Sequence, residues 1–308
     1  MLARAVTVVV LAAIALVGCG NAPGSTPPVL DAARSVDPVL APVLAGEQPR
    51  AAADPQSLAW HITVAENYRR DPAAPPELVA AGGWTAQVAY RALVDRPDWD
   101  TAVLAGVPAQ LQDTVRHTVA AGRELQAMAT RAPPTTVPAW RIVAPLPASQ
   151  LRGYHAEAQR RFGVPWSVLA AVHLVETRMG RIVGFSSAGA QGPMQFLPRT
   201  WEHYGLGGDV WDARDAILGA ANYLAASGAA EGTDAGVDRA LYTYNHSPHY
   251  VRAVRHYAAL MQADECAFPG LHAWQVYYRT HLGDLLLPIR YASPRRMPAQ
   301  EYLAAQPR

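Results

Sequence analysis

The sequence lacks lysine altogether. All 26 fixed cations are therefore arginine, set against 25 acidic residues for a formal net charge of +1. Charged residues make up only 17% of the chain. A nucleic-acid binder draws most of its affinity from phosphate neutralisation and carries a clear basic excess, so this balance excludes one. Cysteine is scarce, with two residues in 308, which excludes a disulfide-stapled scaffold. Long apolar runs are nearly absent too. The one that exists covers residues 5–17, behind Arg4. As a helix it would be about 20 Å long, short of the roughly 30 Å core of a bilayer. A polytopic membrane protein is therefore excluded. Composition also excludes collagen, a coiled coil and an acidic disordered tail. At roughly 100–200 residues per domain, the length allows one large domain or two small ones.

A short apolar run behind a basic start is the pattern of a secretory signal. It ends in Leu16-Val17-Gly18-Cys19. This resembles the bacterial lipobox, which implies cleavage before Cys19, lipid on that residue and an extracytoplasmic, membrane-anchored chain. An uncleaved anchor and an ordinary signal with an incidental cysteine are the competing readings. Cys266 lacks a neighbouring activating motif and reads as a small buried hydrophobe.

The expected organisation is a signal over residues 1–18, a flexible tether over 19–55 and a helical region of unassigned role over 56–131. A Pro-rich linker over 132–146 leads to a catalytic domain over 147–262 and a tail over 263–308 that packs back on it. The tether is rich in Ala, Pro, Gly and Ser. Apolar residues at three- and four-residue spacing mark helices near 58–69, 85–94 and 109–129, with Pro75-Pro76 and Gly82-Gly83 as punctuation. Further helices are expected near 150–162, from 166 to about 179, and over 198–204, 213–227, 236–245 and 249–262. Gly180 is expected just past the end of the second of these. Strand signals are weak, apart from a possible hairpin in the aromatic tail. The fold class is mainly α.

Glu176 stands near the C-terminus of an otherwise apolar helix containing Val168, Leu169, Val172 and Val175. The negative end of the helix dipole and desolvation both favour its protonated form there. A proton held near neutral pH is what a general acid needs. The alternative is a helix-end Glu that faces solvent or pairs with Arg178 or Arg181. Ten residues on, the run 186–198 combines small residues that allow close backbone approach with Met194 and Gln195, an apolar and a hydrogen-bonding contact. No His, Cys, Asp or Glu cluster has metal-ligand spacing, and no cofactor is expected. His173 reads as a packed helix histidine.

Several motifs occur together in order: Glu176-Thr177, then Ser186-x-x-Gly189-Ala190-x-Gly192-x-Met194-Gln195-x-x-Pro198-x-Thr200, and later Tyr244-Asn245. Together they resemble the SLT-type lytic transglycosylases. Trp211-Asp212-x-x-Asp215-Ala216-Ile217 and Ala220-Ala221-Asn222-Tyr223-Leu224 are also similar to the membrane-bound type B branch. The resemblance implies a lysozyme-like helical fold, to which the periodicity of residues 56–131 adds a preceding helical region. It implies cleavage of the MurNAc–GlcNAc bond of peptidoglycan with 1,6-anhydro ends, and no metal. Glu176 becomes the catalytic acid/base, and Tyr244 the tyrosine whose hydroxyl contacts it. Asn245, Gln195, Met194 and Ser186 line the sugar groove. Partners would be glycan strands, the membrane through the lipid, and other cell-wall enzymes. Thr177, Pro193 and His246-Ser247 depart from the family's usual Ser, Leu and Ala-Gly.

A hydrolytic muramidase on the same fold is the alternative. It would need a second carboxylate, about 5–9.5 Å from the first. Asp209, Asp212 and Asp215 are candidates, although Asp212 and Asp215 also suit a helix start. A non-catalytic peptidoglycan-binding lipoprotein is the third reading.

Overall fold

A computed structural model describes residues 37–129 and 132–306. The signal and Cys19 lie outside them. Among the described residues the chain is mainly α-helical, and no helix is long and apolar enough to cross a membrane.

The first half holds α1 (Ala41–Leu44), α2 (Pro55–Arg70), α3 (Pro76–Val94), α4 (Asp100–Gly106) and α5 (Ala109–Ala127). Asp54 caps α2 by accepting from the Ser57 amide at 2.8 Å, with Pro55 opening the first turn. The described part of the expected tether is packed: Leu40 is fully buried, and the Gln48 amide donates to the Tyr277 hydroxyl. The pair Gly82-Gly83 does not interrupt a helix. It lies inside α3, where a Cβ on Gly83 would stand 2.5 Å from the Gly270 carbonyl. The missing side chain serves close helix packing instead of a turn.

Next come β1 (Thr136–Val137), β2 (Arg141–Ile142), α6 (Ala148–Phe162), α7 (Trp166–Thr177) and β3 (Ile182–Val183). They are followed by α8 (Pro198–Tyr204), α9 (Ala213–Ala226), α10 (Asp234–Tyr244) and α11 (Pro248–Ala263). The chain closes with α12 (Ala267–His272), β4 (Val276–Thr280), β5 (Gly283–Leu287), β6 (Met297–Pro298) and α13 (Ala299–Ala304). Single 3₁₀ turns lie at Pro97–Trp99 and Ala229–Glu231.

One continuous apolar core runs from Leu58 and Ile62 on α2 through Leu169 on α7 to Met261 on α11. The helices before residue 130 therefore share their core with those after 147. A buried charge cluster ties the same halves together. Glu66 on α2 pairs with Arg69 and Arg70 and accepts from the Tyr90 hydroxyl at 2.7 Å. Arg69 in turn donates to the Cys266 carbonyl, and Arg70 pairs with Asp264 at 2.9 Å. Burial pushes the Glu66 carboxyl up, but the two guanidiniums outweigh it and hold it below its ordinary value.

A second, smaller core contains Val137, Ile142, Val276, Leu287, Tyr291 and Tyr302. Each of its three sheets is an antiparallel pair: β1 with β6, β2 with β3, and β4 with β5. Residues 132–146, read from sequence as a linker, thus supply strands, and the tail folds onto them.

Candidate active site

Glu176 occupies the last turn of α7, a helix whose remaining residues are almost all buried. The helix ends two residues earlier than its sequence suggests. Arg178 (φ 53°), Met179 (φ 60°) and Gly180 (φ 82°) are all left-handed, so Arg178 takes the capping place expected of Gly180. The Arg178 and Met179 amides satisfy the final carbonyls, donating to Leu174 and His173. Burial of Met179 holds the unusual cap in place.

Glu176 is half-buried. Burial pushes its carboxyl from the ordinary 4.5 up to about 7, against the opposing effect of a hydrogen bond from the Tyr250 hydroxyl. That bond, to Oε1, is 2.7 Å long. Neither neighbouring arginine is turned toward it. Arg178 donates to the Leu174 carbonyl and Arg181 to the His272 carbonyl. His173 is fully buried against His155, and burial lowers it to about 3, so it is a neutral packed side chain.

Tyr250 is the residue the sequence pattern missed. Tyr244, expected to touch Glu176, instead donates to the Met194 carbonyl at 2.6 Å. Its ring packs against Phe196 and Tyr223. Burial, and then the nearby Glu176 charge, push its hydroxyl well above 10.0. The missed signal was the cap before Tyr250. Ser247 accepts from the Tyr250 amide and, with Pro248 in the first turn, starts the helix that aims Tyr250 inward.

The loop after β3 is built from two tight turns. Ser186 Oγ accepts from the Ala188 and Ala190 amides at 3.2 and 3.0 Å. Gln191 and Phe196 exchange backbone hydrogen bonds across a second turn. Gly192 (φ +75°) cannot be replaced there, because a Cβ would lie 2.0 Å from the Val210 carbonyl. Gln195 (φ 52°) donates through its side-chain amide to the Gly192 carbonyl at 3.0 Å. The Met194 side chain, expected in the groove, is fully buried and belongs to the core. It supports the loop from beneath because a large thioether gains more from packing than from exposure. Asn245 follows α10 and is half-buried.

Thr177 joins this loop to the helix. Its hydroxyl donates to the Pro193 carbonyl at 2.5 Å and accepts from the Gly180 amide at 3.0 Å. The hydroxyl shared by Thr and Ser is thus what the position requires. The three candidate second carboxylates hold the loop before α9 together. Asp209 accepts from the Trp211 amide, Asp212 from the Asp215 amide, and Asp215 from the Asp209 amide. Among the described residues no group of three or more His, Cys, Asp or Glu side chains could hold a metal ion.

Comparison with known proteins places similarity on part of this region. Residues 185–238 match the model of the Transglycosylase SLT domain. Over 75 residues the chain is 37% identical to the membrane-bound lytic murein transglycosylase F of Thiobacillus denitrificans. That similarity covers 24% of this chain and 16% of the relative, so the match spans about a sixth of the relative's length. No solved structure matches. The matched segment contains the 186–196 loop, α8 and α9, while Glu176, Tyr244 and Tyr250 lie outside it. Over residues 185–238 the chain thus carries the sequence of an SLT-type transglycosylase domain.

Proposed function

We propose that this protein is a peptidoglycan lytic transglycosylase that cleaves the β-1,4 bond between MurNAc and GlcNAc in cell-wall remodelling. Glu176 is its only catalytic acid/base. The observation that carries the reading is a carboxyl held near pH 7 beside a tyrosine hydroxyl, while Asp209, Asp212 and Asp215 are each engaged by a backbone amide.

Protonated Glu176 gives its proton to the leaving O4 of GlcNAc as the C1–O4 bond breaks. The substrate's N-acetyl group stabilises the positive centre at C1. The carboxylate then takes the proton of the MurNAc C6 hydroxyl, whose oxygen bonds to C1. The products are a 1,6-anhydro end and a free GlcNAc 4-hydroxyl, and no water is consumed. Intramolecular attack gains from high effective molarity. A pKa near the working pH lets one residue serve as acid and then as base. Ser186, Gln195, Tyr244 and Asn245 line the groove, with Met194 supporting its loop.

Mass spectrometry of digested sacculi tests the reaction. Anhydro ends are expected. Reducing ends instead would mean hydrolysis, and intact glycan would mean a binding protein. Glu176→Gln is expected to abolish turnover, and full activity in that variant would remove Glu176 from the role. The proposal extends to export and anchoring by lipid at Cys19, supported by sequence alone. A Cys19→Ser chain is expected in the membrane-free fraction.

A further inference from the structure

Phe185 and Trp211 are both exposed large apolar side chains, at 61% and 41%. They come from separate loops yet meet edge-to-face, with ring centroids 5.7 Å apart and planes at 89°. Exposed aromatics scattered singly need no explanation, but a pair fixed in one geometry does. Both backbones are pinned. The Trp140 indole donates to the Phe185 carbonyl at 3.2 Å, and Trp140 is itself braced edge-to-face by Tyr278 of β4. The Trp211 amide donates to Asp209. The small β core thus holds an uncovered aromatic surface in place.

Direct contacts through buried residues connect this pair to the candidate active site. Thr177, next to Glu176, bonds the Pro193 carbonyl. The adjoining Gly192 abuts Val210, and Trp211 is the next residue. Phe185 directly precedes Ser186 of the same loop. From this geometry we infer that Phe185 and Trp211 form a saccharide-binding platform for an N-acetylated sugar of the glycan strand, one loop removed from the bond being cleaved. This rests on the transglycosylase reading. A pyranose presents a face of C–H groups that stacks on an aromatic ring while its equatorial hydroxyls stay in water. Two perpendicular rings form a corner, one ring for that face and the other for the N-acetyl methyl. Ordering the rings beforehand removes part of the entropy cost of binding. The platform favours long strands over short fragments.

The test measures binding of a GlcNAc–MurNAc tetrasaccharide and octasaccharide to the full chain carrying Glu176→Gln, by titration calorimetry. The octasaccharide is expected to bind more tightly. In Phe185→Ala and in Trp211→Ala, the octasaccharide-to-tetrasaccharide affinity ratio is expected to fall about tenfold. Phe185→Tyr, which keeps a ring, restores it. Thermal melts identify a variant that has lost its fold, and Phe185→Ala, at an exposed site, keeps the test decisive in that event. An unchanged ratio in both alanine variants overturns the platform, as does equal loss on both ligands or no binding of either ligand by the parent. The chemistry is read separately from the anhydro ends made by the Glu176-containing chain. Length-dependent binding through the platform without such ends would sustain the saccharide binding at Phe185 and Trp211 and refute the transglycosylase reading.

Discussion

The hydroxyl of Tyr250 donates a 2.7 Å hydrogen bond to Oε1 of Glu176, across 74 positions of sequence. Two opposing effects therefore set the acid. Burial raises its pKa and the tyrosine lowers it, leaving about 7. A general acid must carry its proton, so kcat/KM should fall as pH rises through that value.

Tyr250→Phe removes a donor that favours the charged carboxylate. The Glu176 pKa should then rise, and the alkaline limb of the pH–rate profile should move to higher pH. Turnover should also fall about tenfold through lost orientation. An unmoved alkaline limb would separate Tyr250 from the acid.

Glu176→Gln should stabilise the protein while destroying activity. Between 4.5 and about 7 the folded state holds a proton that the unfolded state has released. Stability is therefore lost as pH rises through that window and is lowest above it. The neutral amide removes that loss, a gain of about 1–3 kcal/mol at pH 8 and almost none at pH 4. Urea unfolding at the two pH values measures the difference.

Thr177→Val should cost about 1–3 kcal/mol, because it leaves the Pro193 carbonyl and the Gly180 amide without their shared partner. Turnover should drop with it, since the 186–196 loop loses its tie to the helix carrying Glu176. Thr177→Ser should restore both stability and rate. Equal behaviour of the Val and Ser variants in calorimetric melts and assays would contradict this.

Glu66→Ala should destabilise the fold by about 3–5 kcal/mol, the usual cost of leaving a buried charge unpaired. Arg69 is the charge stranded here, buried with Asp264 as its remaining acidic neighbour at 3.9 Å. Because the cluster spans α2, α3 and the start of α12, unfolding should remain one transition. Separate melting of the region before residue 130 would contradict the shared core.

The sequence itself carried the helical class, the apolar helix that bears Glu176 and the small-residue loop from Ser186. These are local matters: periodicity, capping and turn chemistry act over a few residues. Asp212 was legible as a helix cap for the same reason, and its side chain accepts from the Asp215 amide. Gly82-Gly83 misled because glycine serves both turns and close packing, and only the neighbouring helices decide between them.

Tertiary structure alone decided which tyrosine meets the acid, that Met194 turns inward, and that residues 132–146 and the tail form one small core bracing Phe185. Each depends on contacts between residues far apart in the chain. Burial, which sets the Glu176 pKa, is likewise created by the packed fold and by no single segment. The near-zero net charge excluded a polyanion partner from the start, and the missing lysines bore on source, not on mechanism. The packed structure added a loop tied to the helix of Glu176, a carboxyl near neutrality and an uncovered aromatic corner, each assembled from segments that have no such property alone.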